Sequence, residues 1–308
     1  MLLQFLMMPM NARQFLVLLA FFSCAAYAQV QRQGQGTLGR IQEGGELIMG
    51  YRDASIPFSY MDAPQTKPLG YAIDICEKLA QAIRKSTGKA NMRVKYEPVT
   101  AANRIEAVKT GKVDLECGST TNNAERRKVV SFTLPHFIAG ARMLVRTDSK
   151  IEKFPDLAGL KVVSTAGTTP LKAINVFNQT HGINMKIVEA TDHAEAFKMV
   201  QDKSADAFVM DDVLLYGLIA SSANPGSYKV IGNFLTTEAL AVMISKNEVE
   251  LKQILDTEMK RLIRSGEIKE IYERWFLKPI PPKNTALNLK PNHLLLDLWR
   301  FPSDFVFN

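Results

Sequence analysis

Between residues 46 and 276 the apolar positions change period repeatedly, from strict alternation to spacings of three and four. Residues 46–51 read as a strand, and residues 52–62, which carry Pro57, as a loop. Ala72, Ile75, Cys76, Leu79, Ala80 and Ile83 then form the stripe of a helix over 73–85, stopped by Thr87-Gly88. Val94 and Tyr96 alternate with charged residues as a strand does. Thr100 is placed to cap a short helix over 101–110 that Gly111 ends. Val113, Leu115 and Cys117 alternate again and lead into Gly118-Ser119-Thr120-Thr121. A second series follows, with strands over 160–164, 185–190 and 206–210 and helices over 170–180, 193–201 and 212–221. Strands alternating with helices of this length imply an α/β protein with mostly parallel sheets. Residues 248–264 and 267–276 read as two amphipathic helices anchored by Trp275 and Phe276. Beyond the proline-rich stretch 279–283, Leu294, Leu295, Leu296 and Trp299 are expected to pack back on the first series.

The first 28 residues break this pattern. Arg13 precedes an apolar run over 15–22, and Ala26-Tyr27-Ala28 follows, the small-x-small pattern of a cleaved export signal. The run is too short to span a bilayer stably, so the chain is expected to be secreted to the periplasm with Gln29 as its new start. A lipidated Cys24 is the alternative, and Phe21-Phe22-Ser23 is a poor lead-in to it. Residues 29–45, rich in Gln, Gly and Arg, read as a flexible leader.

Composition narrows the picture further. At 308 residues, with 46% hydrophobic and 22% charged residues, the chain is long enough for two lobes with their own cores. The net charge of +7 would suit nucleic acid, but the charges fall in mixed-sign clusters such as Glu125-Arg126-Arg127-Lys128, with no basic stripe interleaved with aromatics. Removing residues 1–28 removes Arg13 alone among the charges, and the remaining surplus suits an anionic ligand. Cys76 and Cys117 stay in the processed chain; an oxidising compartment permits a disulfide, but sequence alone gives no distance between them.

Open parallel sheets bind ligands at the carboxyl ends of their strands. Polar clusters fall at five such ends: 52–55, Asn103-Arg104, 118–121, 166–169 and Asp211-Asp212. Three belong to the first series and two to the second, which is what a cleft between two lobes produces. A zwitterion in such a cleft needs donors for its carboxylate and an acceptor for its ammonium. Arg126, shortly after Ser119 and Thr121, offers a bidentate fork beside loop hydroxyls, against the plainer reading of a surface arginine paired with Glu125. Thr169, with Pro170 behind it, reads as an N-cap whose free amides suit an anion, although most capping threonines bind nothing. Asp211 is placed to accept from an ammonium or to cap a helix, and Asp212 is the better cap by position. Arg52 and Arg104 have no evident structural duty, and His193 at a helix start reads as a satisfied surface histidine.

Order and spacing add what single residues do not. Arg52-Asp53-Ala54-Ser55-Ile56-Pro57-Phe58-Ser59-Tyr60, Leu69-Gly70-Tyr71-Ala72-Ile73-Asp74 and Asn103-Arg104-Ile105 resemble the first lobe of periplasmic amino-acid-binding proteins of ABC transporters. The run from Glu116 to Arg126 is similar to the glutamate/aspartate-binding branch, and Ala166-Gly167-Thr168-Thr169, Asp192-His193, Val209-Met210-Asp211-Asp212 and the run from Trp275 to Asn284 continue the match. The resemblance covers about residues 46–285 and implies a two-lobed, type II periplasmic-binding-protein fold, crossed near 139–145 and 238–244. Residues 46–140 and 241–308 would form lobe 1, and 141–240 lobe 2. It further implies that Arg126, Ser119, Thr121 and Thr169 hold an α-carboxylate, Asp211 an α-ammonium, and Arg52, Arg104 and His193 a side-chain carboxylate. Three arginines around a small ligand are costly unless it brings two carboxylates, which favours glutamate or aspartate. The family tends to carry a hydroxyl residue shortly before the Asn-Arg pair, where this chain has Ala101-Ala102; one lost hydrogen bond to a charged group costs about 1.5–3 kcal/mol.

The expected protein is thus a monomer that closes its lobes on an acidic amino acid and docks on a membrane permease, with no cofactor, metal or nucleic acid. No nucleophile–base pair, HExxH, CxxC or phosphate loop appears. Two rivals remain: a ligand-binding sensor, and a dehydratase-like enzyme on the same scaffold using His193 as its proton donor.

Overall fold

The computed structural model describes residues 36–62 and 66–305, and the export-signal and Cys24 readings lie outside them. Two sheets organise the chain. In the first, the strand order is Arg93–Pro98, Glu46–Tyr51, Leu115–Glu116, Met243–Ser245, Val130–Phe132. Its first three strands run parallel, and Met243–Ser245 is antiparallel to both its neighbours. The second sheet runs Tyr228–Ile231, Phe137–Arg146, Ala207–Asp211, Lys161–Thr165, Lys186–Ala190, with the last three parallel. Phe137–Arg146 pairs antiparallel with both Ala207–Asp211 and Tyr228–Ile231.

The expected parallel sheets are therefore interrupted where the chain passes between them. Phe137–Arg146 leaves the first sheet, and Thr237–Leu240 returns beside its opening residues in antiparallel register, Ile138 opposite Ala239 and Gly140 opposite Thr237. Two paired strands thus link the lobes. Alternation along the second sheet buries both its faces: Met143, Val145, Ala207 and Val209 enter one cluster, while Leu144, Phe208 and Met210 enter the other.

The helix Tyr71–Thr87 buries Ile75, Cys76, Leu79 and Ile83 and ends at Gly88 in the left-handed region. Cys76 is bonded to Cys117, which settles the open pairing question and ties this helix to the chain just after Leu115–Glu116. That strand is two residues long, shorter than the alternation from Val113 to Cys117 suggests. The helix expected over 101–110 spans Arg104–Lys109. Before it, Thr100 N donates to Asn103 Oδ1 at 2.8 Å and Asn103 N to Thr100 Oγ1 at 3.1 Å, a reciprocal turn that takes up those residues.

Two terminal expectations change. Residues 36–44 are not leader but an α-helix, Gly36–Gly44, with Thr37 and Ile41 buried. Arg40 pairs with Asp114, and Thr37 N donates to Glu248 Oε1 at 2.7 Å, so distant residues order it. The tail forms a helix, His293–Arg300, capped by Asn292, that buries Leu295 and Trp299, while Leu296 is exposed. Asn292 Nδ2 donates to Ile138 O at 3.0 Å and Trp299 sits edge-on to Tyr272, so the tail lies against a linking strand and the aromatic cluster of Phe58, Tyr71, Phe137, Tyr272 and Phe276. Among the described residues no helix is long and apolar enough to cross a membrane.

Candidate ligand-binding site

The site is assembled where strands end. Arg52 follows Glu46–Tyr51, and its backbone N donates to Ser59 Oγ at 2.9 Å, which fixes it on the small hairpin Ala54–Ser55/Ser59–Tyr60. Arg104 opens the helix Arg104–Lys109. Both are 2% exposed, so neither is the surface arginine that residue type alone suggests. Ser119 and Thr121 lie on the buried loop after Leu115–Glu116. Arg126, in the 3-10 turn Arg126–Lys128, is also buried and does not pair with Glu125, which bonds Lys172 instead. Its Nη1 donates to Thr121 O at 2.8 Å and its Nη2 to Gly167 O at 3.3 Å, so one guanidinium touches both lobes.

From the second lobe come Thr168, Thr169, His193 and Asp211. The N-cap of the helix Thr169–His181 is Thr168, whose Oγ1 accepts from Leu171 N at 3.3 Å; the expectation that Thr169 caps is off by one residue. Proline is at home at either of the first two helical positions, so Pro170 did not distinguish the two threonines. Thr169 Oγ1, freed from capping, lies 3.0 Å from Thr121 Oγ1 and donates to Glu238 Oε2 at 2.8 Å. Gly167 has a φ of +75°, and a Cβ there would lie 2.7 Å from Ala101 O, so only glycine lets this turn meet the first lobe at Ala101-Ala102. His193 is buried, not superficial: it begins the helix His193–Gln201, with Asp192 as the cap and Nδ1 2.8 Å from Thr165 Oγ1. Asp211 ends the strand Ala207–Asp211 and makes no capping bond, while Asp212 Oδ1 accepts from Val213 N and Gly140 N.

These residues meet. A cavity of about 10 Å³ between the lobes is lined by Arg104, Ser119, Thr121, Thr169, His193 and Asp211, closed by Pro170, Met210 and Leu214. Arg126 stands at its edge, on a broad groove that shares Thr121 and Thr169 with it. Arg52 lines neither; it sits behind, coupled electrostatically to Arg104 and His193.

The electrostatics are those of charges stripped of water. Burial, then Arg104, pushes the Arg52 pKa down to about 9, with Glu116 opposing. Burial lowers Arg104 as well, and burial followed by Arg104 brings Arg126 to about 10. His193 is held well below its usual range by burial, Arg52 and Arg104, so its ring is neutral. Asp211 is driven well above the usual carboxylate range by burial, then by Glu238 and Asp212. Arg52 Nη1, Arg104 Nε, His193 Nε2 and Asp211 Oδ1 are all buried without a hydrogen-bond partner. Buried polar atoms are usually paired, and these four, with Glu116 Oε1 beside Arg52, gather where the lobes meet, leaving both donors and acceptors unsatisfied.

Sequence reasoning missed Glu116 and Glu238, both buried within this charge cluster. Each was visible as an acid beside apolar residues, Glu116 between Leu115 and Cys117, Glu238 just before Ala239-Leu240-Ala241. No group of metal-ligating residues occurs among the described residues.

Two lobes joined by paired strands, with a polar site closed between them, define a two-lobed ligand-binding protein. Comparison with known proteins fixes the family. Residues 47–278 match the model of the bacterial extracellular solute-binding proteins, family 3, and the chain belongs to that family. It is 40% identical over 269 residues to the L-glutamate/L-aspartate-binding protein of Pseudomonas aeruginosa, covering 87% of this chain and 89% of the relative. It is 36% identical over 272 residues to the glutamate/aspartate import solute-binding protein of Escherichia coli, covering 88% and 90%. Among solved structures, it is similar to an ancestral amino-acid-binding protein that is a precursor of cyclohexadienyl dehydratase, with a TM-score of 0.67 and 31% identity over 78% of this chain and 99% of that one. The fold is the two-lobed, type II periplasmic-binding-protein fold.

Proposed function

We propose that this chain captures an acidic L-amino acid, glutamate or aspartate, between its lobes in the periplasm and delivers it unchanged to the membrane permease of an ABC transporter. The observation that carries this reading is the set of buried, unpartnered groups: guanidinium donors of Arg52 and Arg104 on one lobe, an acceptor oxygen of Asp211 on the other. A ligand with one carboxylate leaves part of that donor set unsatisfied; one with two carboxylates and an ammonium satisfies both ends. The Pseudomonas L-glutamate/L-aspartate-binding protein and the Escherichia glutamate/aspartate import solute-binding protein support the same ligand class.

In this reading Arg126, with Ser119, Thr121 and Thr169, receives the α-carboxylate, and Asp211 receives the α-ammonium. Arg104 and the neutral His193 meet the side-chain carboxylate, with Arg52 reinforcing the field behind them. The closed cavity has room for roughly one water, so an amino acid enters by parting the lobes about the linking strands and then bridges them. A dehydratase on this scaffold would need a proton donor in the cleft. His193 is poorly suited to that work, because burial and two arginines keep it neutral and Thr165 engages its Nδ1.

Calorimetric titration of the ligand-stripped protein with L-glutamate, L-aspartate, L-glutamine and L-histidine tests the assignment. Tight binding of the acidic pair is expected; silence from both, with heat from another amino acid, would keep the fold and overturn the ligand.

A further inference from the structure

Glu116, like Glu238, is a buried acid of the charge cluster that no ligand role absorbs. It is fully buried on Leu115–Glu116, between Glu46–Tyr51 and Met243–Ser245. Its Oε2 accepts from Thr120 Oγ1 at 2.6 Å, while Oε1 has no hydrogen-bond partner. The carboxylate is folded under Gly118 beside the stem of Arg52: a Cβ at Gly118 would lie 2.5 Å from Glu116 Oε1 and 2.9 Å from Arg52 Cγ. Glycine at 118 is what lets acid and arginine share that space.

Its charge faces three buried arginines. Glu116 is the foremost opposing charge for both Arg52 and Arg104, and it also acts on Arg126. The other acids near Arg52 differ in kind, for Asp53 is exposed and Asp192 half-buried, so solvent screens them. Glu116 does this without occupying a guanidinium fork. Thr120 holds one oxygen, Gly118 leaves room for the other, and Arg52 Nη1 and Arg104 Nε have no hydrogen-bond partner.

We propose that Glu116 is the resident counter-charge of the side-chain end of the cleft, a specificity-determining residue that sets how strongly the arginines attract a second carboxylate. It lets Arg52 and Arg104 stand together in a dry site, and it weakens the field enough for a captured anion to leave. The inference rests on the acidic-ligand reading above. It assigns Glu116 an action through space, so its effect scales with the charge of the ligand rather than with its shape.

The test compares Glu116→Gln with wild type in titrations with L-glutamate and its neutral amide, L-glutamine, alongside thermal melts. Glutamine at 116 keeps an acceptor for Thr120, removes the charge and puts an amide NH2 where the unpartnered Oε1 stood. The variant is expected to bind L-glutamate about tenfold more tightly, with a steeper loss of affinity as salt rises, while L-glutamine binding moves less than about twofold. Unchanged or weakened L-glutamate affinity, or equal changes for both ligands, overturns the proposal. Should Glu116→Gln fail to fold, Glu116→Asp carries the test: its charge is set back by one methylene, and a smaller shift of the same sign is expected, with no shift or the opposite sign overturning it. A wild-type protein that binds no acidic amino acid refutes the ligand assignment instead, and that arm is read before any variant.

Discussion

The two walls of the cleft are built from opposite materials. The first lobe supplies Arg52, Arg104 and Arg126, three buried cations, with Glu116 the foremost acid opposing Arg52 and Arg104 and Glu238 the foremost opposing Arg126. The second supplies Asp211, the neutral ring of His193 and the hydroxyls of Thr168 and Thr169 around a helix N-terminus. Neither wall is electrostatically at ease alone, since burial disfavours the charged forms of Arg52, Arg104, Arg126 and Asp211. Yet protein atoms scarcely bridge the gap. Arg126 reaches Gly167 O, Thr121 meets Thr169 and Gly167 packs on Ala101-Ala102, while Arg52 Nη1, Arg104 Nε, His193 Nε2 and Asp211 Oδ1 stay unpartnered. In the proposed reading this asymmetry divides the work: the arginines of the first lobe, aided by His193, select for an acidic side chain, and Asp211 of the second selects for an amino acid over other anions.

Removing a fork from the first wall should do most damage. Arg104→Ala is expected to weaken L-glutamate binding by at least about a hundredfold, because the ligand carboxylate is left desolvated and unpaired. Titration of the variant with L-glutamate and L-glutamine checks this, and an equal loss for both ligands would deny Arg104 its side-chain role.

Changing the second wall should separate stability from function. Asp211→Asn is expected to weaken L-glutamate about ten- to a hundredfold while raising the melting temperature of the unliganded protein. The sign follows from linkage. Asp211 has its folded pKa raised above the unfolded value, so the folded state binds the extra proton, and wild-type stability falls as pH rises through that interval. The advantage of Asp211→Asn in melting should therefore be largest above the folded pKa and shrink as pH drops toward the ordinary carboxylate value. A pH-independent difference would contradict the assignment.

The scaffold behind the first wall gives a smaller effect on binding. Replacing Cys76 and Cys117 together by serine removes the tie between the helix Tyr71–Thr87 and the chain entering loop 118–121. The double variant should lose about 2–4 kcal/mol of stability in denaturant titrations and bind L-glutamate only modestly more weakly. The exposed Lys172–Glu125 pair, which joins the lobes outside the cleft, should matter least: Lys172→Ala is expected to leave the L-glutamate affinity unchanged within error.

Much of this was legible in the chain, for identifiable reasons. Helices such as Tyr71–Thr87 and strands such as Lys161–Thr165 follow from local periodicity and local stop signals, which a sequence displays directly. The helix Gly36–Gly44 was not legible, because Asp114 and Glu248, which hold it, are distant in sequence. Burial decided the site residues in the same way. Arg52 and His193 look like surface residues by type, and only packing reveals that both are dry. Glu116 and Glu238 escaped because a buried acid makes sense only beside the arginines and hydroxyls that the fold brings to it. The cap moved from Thr169 to Thr168 since both threonines satisfy the local rule; the contact with Thr121 shows which hydroxyl faces the cleft.

The most direct test of the two-walled cleft is a crystal structure of the protein with L-glutamate bound. The account predicts the α-carboxylate on Arg126, the side-chain carboxylate toward Arg104, and the ammonium nitrogen within hydrogen-bonding distance of Asp211. A glutamate lying the other way round, with its ammonium on the first lobe and Asp211 still unpartnered, would contradict it.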